Sequence, residues 1–63
     1  MDNLSKARQQ LTKSFLLCEK LEPKQDIDEE LQAEILNALD HAMCVLDVAA
    51  WAKSNFLNLK TSN

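Results

Sequence analysis

Between Ile27 and Leu59, apolar residues recur at alternating steps of three and four, with no Gly or Pro to interrupt them. Ile35, Ala42, Ala49 and Phe56 form one series of sevens, and Leu31, Ala38, Val45 and Ala52 form its partner series. This alternation is the seam of a helix that packs against another helix. A second stripe, Leu36, Met43, Ala50 and Leu57, runs beside it, and Leu39 and Leu46 fall between the two. An apolar arc this wide predicts more than one neighbour.

Upstream, Leu4, Ala7, Leu11, Phe15 (or Ser14), Cys18 and Leu21 give a shorter seam in a segment rich in Leu, Ala, Lys, Gln and Glu, all good helix formers. Pro23 cannot donate to an upstream carbonyl and pushes Glu22 away from helical geometry. The pattern therefore predicts a helix over 4–21, a turn over 22–26, a helix over 27–59 and a disordered tail over 60–63. Asp2 or Asn3 is placed to cap the first helix. Asp26 is placed to cap the second, with Glu29 closing a capping box and Asp28, Glu29 and Glu30 in the first turn. The fold class is all-α, a helical hairpin within a single domain.

The chain has 63 residues, too few to bury such a helix unaided; short chains lean on disulfides, metals or oligomerisation. Two cysteines, Cys18 and Cys44, allow one disulfide at best. No leader-like apolar segment precedes them, so they read as reduced thiols in a cytoplasmic protein. No uninterrupted apolar run nears the roughly 18 residues that span a bilayer, so no membrane partner is expected. Oligomerisation remains. Four alanines in the main seam, Ala38, Ala42, Ala49 and Ala52, allow close helix approach. The simplest closed product is an antiparallel homodimer, a four-helix bundle with the two seams as its dimer and hairpin core.

The net charge is −3, against indiscriminate nucleic-acid binding, but its distribution is uneven. The first half is basic and the second acidic, which suits two antiparallel helices in contact. Lys6, Lys13 and Lys20 repeat at sevens on one line of the first helix, a solvated face that could also follow phosphates. Trp51 points away from the main seam with Cys44 and Val48 beside it, a candidate contact patch for a protein partner. His41 and Cys44 stand at a spacing that could seed a zinc site, yet one chain offers no recognisable ligand motif. With no glycine there is no Gly-rich turn or oxyanion hole, so neither catalytic residues nor a small-molecule substrate, metal or cofactor is expected.

Laid out this way, the chain resembles the Rop family of plasmid copy-number regulators. The resemblance rests on Ala7-Arg8, Leu17 and Glu19-Lys20-Leu21, the acidic turn from Asp26 to Glu29, then Gln32-Ala33-Glu34-Ile35, Leu39 and His41-Ala42. It implies a hairpin that dimerises into an antiparallel four-helix bundle. It also implies RNA binding on the paired first helices, at Ser5, Gln9, Lys13 and Lys20. Lys20 keeps the family's residue type there, whereas Gln9 stands in place of an aromatic. Two expectations about function follow: a regulatory or adaptor protein that binds a protein partner as a dimer, and, as the alternative, a Rop-like RNA binder using Lys6, Lys13 and Lys20.

Overall fold

The computed structural model describes the backbone of residues 2–62 and the side chains of residues 2–56. Two helices, α1 (Asn3–Glu19) and α2 (Glu29–Ser62), fold back on each other as an antiparallel hairpin. Asp2 caps α1, its carboxylate accepting the Ser5 N–H at 2.8 Å. At 17 residues α1 is about 26 Å long, and at 34 residues α2 is about 51 Å. The molecule is accordingly a thin slab, 57 × 21 × 10 Å.

The turn is longer than the sequence pattern predicts, and its chemistry differs. Helix α1 ends at Glu19, and the Lys20 N–H closes on the Leu17 carbonyl. Helix α2 starts at Glu29, two residues later than expected. Asp28, not Asp26, opens it: the Asp28 carboxylate accepts the Glu30 N–H at 3.0 Å and its carbonyl the Gln32 N–H at 2.9 Å. Asp26 instead folds back inside the turn. Its carboxylate accepts the Glu22 N–H at 3.2 Å, and its own N–H donates to the Glu22 carbonyl at 3.0 Å. The backbone donor that a capping box would use is therefore already committed.

Pro23 sits second and Lys24 third in a turn closed by the Gln25 N–H on the Glu22 carbonyl. Lys24 has φ 75°, the left-handed geometry that the third position of a type II turn demands and that a side chain disfavours. Its N–H is held by the Ile27 carbonyl at 2.7 Å.

From α2, the Gln32 side-chain amide donates to the carbonyls of Cys18 and Leu21, both at 2.9 Å. The end of one helix is thus capped by the start of the other. Helix α2 runs on to Ser62, and Asn63, the last residue of the expected tail, lies outside the described residues.

Among the described residues, Cys18 alone is buried, at 6% exposure. Around it Leu4, Ala7, Leu11, Phe15 and Leu21 are half-buried against Leu36, Leu39, Ala42, Met43 and Leu46. The stripe that α1 covers is therefore the secondary one. Of the main series only Ala42 is half-buried; Leu31, Ile35, Ala38, Val45, Ala49, Ala52 and Phe56 are exposed within one chain. The expectation that they form a core is not met inside a single hairpin, because one helix can cover only one side of α2.

Gln32→Leu removes the two hydrogen bonds to the Cys18 and Leu21 carbonyls and should cost about 1–2 kcal/mol in chemical denaturation at fixed protein concentration. Gln32→Glu should cost more, since it sets a negative charge against the negative end of α1. Lys24→Gly should raise the midpoint, because the left-handed strain of about 1–2 kcal/mol exceeds the roughly 0.5–1 kcal/mol that glycine adds in chain entropy. An unchanged midpoint for Gln32→Leu would rule out the cap.

Candidate interaction surfaces

The two broad faces of the slab differ in chemistry. On one, α1 and α2 leave an open groove of about 570 Å³ lined by Ala7, Gln10, Leu11, Ala42, Val45 and Leu46. A second groove of about 380 Å³ continues it toward the turn, between Ser14, Leu17, Cys18 and Leu21 of α1 and Ile35 and Leu39 of α2. The main heptad series forms the α2 side of this face. Leu31, Ile35, Val45 and Phe56 are 40% to 57% exposed along it. These exposed side chains and the two grooves make this the apolar face of the slab.

The opposite face is polar and closed by Arg8. Its Nε donates to Asp47 Oδ1 at 3.1 Å and its Nη2 to Asp47 Oδ2 at 3.4 Å, joining the two helices in a forked ion pair. Its Nη1 reaches Thr12 Oγ1 at 2.7 Å and Met43 Sδ at 3.1 Å. The Thr12 hydroxyl in turn donates to the Arg8 carbonyl at 2.9 Å. Hydrogen bonding to Asp47, then its negative charge, raises the guanidinium pKa above its ordinary value, against the opposing effect of desolvation. The pair fixes which residues of α1 stand opposite which residues of α2. Asp47 is exposed yet drawn to Arg8, an attraction that only the basic-then-acidic layout of the chain hinted at.

Trp51 is 67% exposed. At about 100° per residue it lies on the far side of α2 from the main series. Val48 and Cys44, about one and two turns away toward the turn, are exposed with it, and Asn55 Nδ2 donates to the Trp51 carbonyl at 2.8 Å. Lys6, Lys13 and Lys20 are all exposed, on the outer side of α1 away from α2. These lysines and the Trp51 patch are therefore separate surfaces on different helices. Ser5 and Gln9, the other positions the resemblance singles out, are exposed on α1 as well.

Cys18 and Cys44 are free thiols, one buried and one exposed. Among the described residues no group of three or more His, Cys, Asp or Glu side chains could hold a metal. The stretch Glu29–Phe56 is long and apolar enough, by length and composition alone, to cross a membrane. Asp40 and Asp47 fall within it, however, and Asp47 is committed to Arg8. Comparison with protein-family models, with curated proteins and with solved structures gave no significant match.

The Ser5 N–H lowers the pKa of Asp2, so this cap stabilises fully above the ordinary carboxylate value of about 3.9 and is lost as pH falls through the lower folded value. Asp2→Asn keeps an acceptor at the cap without its charge. It should flatten the stability–pH curve below about pH 4 while leaving its shape at neutral pH unchanged. Thermal melts across pH 2.5–7 check this, and an unaltered acid limb contradicts it.

Proposed function

We propose that this chain is a small non-catalytic regulatory or adaptor protein that works as a helical homodimer and grips a protein partner through the Trp51 side of α2. The observation that carries this reading is the separation of two apolar surfaces on one helix. The main series is extensive enough to be covered by another copy. The Trp51 patch, on the far side, stays available when it is. A solvent-facing tryptophan flanked by a small thiol and a valine has the composition of a binding hot spot. The mainly apolar lining of the groove between Ala7 and Leu46, with Gln10 as its one polar side chain, favours binding over catalysis. Two free thiols are in keeping with a reducing, cytoplasmic setting. The ion pair across α1 and α2 favours a water-facing hairpin over a membrane span, since an Asp in hydrocarbon is costly.

A Rop-like RNA activity is the second reading, and the exposed line of Lys6, Lys13 and Lys20 favours it. Salt separates the two. Binding through several phosphates weakens steeply between 50 and 200 mM salt, whereas an apolar protein contact does not.

Affinity capture from the native host, with bound protein and bound RNA both quantified, tests the choice. Trp51→Ala should reduce retention of the specific protein partner about 30-fold, the scale of a hot-spot truncation of about 2 kcal/mol, and Lys13→Glu should leave it unchanged. Loss of activity in Lys13→Glu with Trp51→Ala intact would instead establish the RNA reading.

A further inference from the structure

We propose that the protein partner held at Trp51 is a cationic amphipathic helix, lying along the strip formed by Asp40, Cys44, Asp47, Val48 and Trp51. This rests on the Trp51 reading above and names the chemistry of its partner. All five side chains are exposed, Val48 at 63% and Trp51 at 67%. Asp40, Cys44, Asp47 and Trp51 follow one another at steps of four, three and four, the spacing along which one helix packs on another. From Asp40 to Trp51 the strip runs about 17 Å, three turns of helix.

Charge decides which helix fits. Between Glu29 and Ala52, α2 carries five acids, Glu29, Glu30, Glu34, Asp40 and Asp47, and no Lys or Arg. All five are exposed. Their summed field attracts a cationic body and repels phosphates, so neither an RNA nor an anionic membrane fits this side of α2. The strip already holds one guanidinium. Arg8 crosses from α1 to Asp47 and touches Met43 Sδ at 3.1 Å, and the negative charge of Asp40 acts on it as well. Asp40 itself makes no ion pair among the described residues.

The two ends of the strip then ask for the same group. At one end Asp40 offers a carboxylate to a second guanidinium. At the other, the exposed Trp51 indole offers a face on which a guanidinium stacks. Between them Cys44 and Val48 form a small apolar floor. A partner helix with two arginines eleven residues apart, three turns, reaches both ends at once and lays the apolar side chains between them on that floor.

Trp51 is the one tryptophan of the chain, and there is no tyrosine, so intrinsic fluorescence reports on this strip directly. The probe is a synthetic alanine–leucine helix with arginines eleven residues apart; its counterpart carries glutamates at the same two positions. The arginine helix should shift Trp51 emission, and the glutamate helix should not. Equal binding of the two overturns the cationic partner, as does no response to either, or a response to an RNA oligonucleotide instead. Asp40→Lys should weaken the arginine helix about fivefold, the scale of an exposed ion pair, and strengthen the glutamate helix; unchanged affinities overturn the placement at Asp40. For Trp51→Ala, anisotropy of a labelled arginine helix replaces the lost fluorophore, and affinity should fall about tenfold. Equal binding of both helices that is lost in Trp51→Ala overturns the partner's charge and leaves the Trp51 site standing. Binding that Trp51→Ala does not change overturns both.

Discussion

Two helices side by side make a single layer, and a single layer cannot enclose anything. Every other property of this molecule depends on that constraint. Helix α1 covers one side of α2 and no more, so the widest apolar arc in the sequence is only half used. The hairpin is held by a thin line of half-buried contacts around Cys18, by a forked ion pair from Arg8 to Asp47 and by the Gln32 cap. None of these replaces a core, since domains need packed layers around one.

Polarity then sorts the two faces. The ion pair and its Thr12 and Met43 contacts lie across one side of the slab, where water can reach them. On the opposite side the grooves between α1 and α2 are mainly apolar. Placing the charged link on the outer side keeps the apolar side free of charges that would be expensive to bury against another surface. It also sets which residues of α1 lie level with which residues of α2, and so brings Gln10 level with Val45.

The hairpin itself was legible in the chain because heptad spacing and a lone proline are local signals. The assignment of stripes to neighbours was not. Periodicity shows that Leu31, Ile35 and Val45 share a face, but it is silent on whether α1 or another body covers that face. The cap of α2 was misplaced by two residues because Asp26 and Asp28 are both good cap residues by type. The choice between them depends on Glu22, whose backbone claims Asp26 from within the turn. Gln32 and Asp47 were opaque for a similar reason. A glutamine in a helix and an aspartate on a polar face are unremarkable until folding brings Leu21 or Arg8 against them. The Trp51 patch could be read from helical arithmetic alone, since its placement depends on no partner.

The scarcity of buried side chains has a further consequence for how such a protein lives in a cell. A chain with an interior draws its stability from itself, at any dilution. A chain with one enclosed thiol draws it from whatever covers it, and that contribution rises with the logarithm of the cover's concentration. If the cover is a second copy, as proposed, scarce copies would spend more time open to proteases and abundant copies would shelter one another. Synthesis rate and lifetime would then reinforce each other, and the amount of protein would respond to expression more sharply than in proportion.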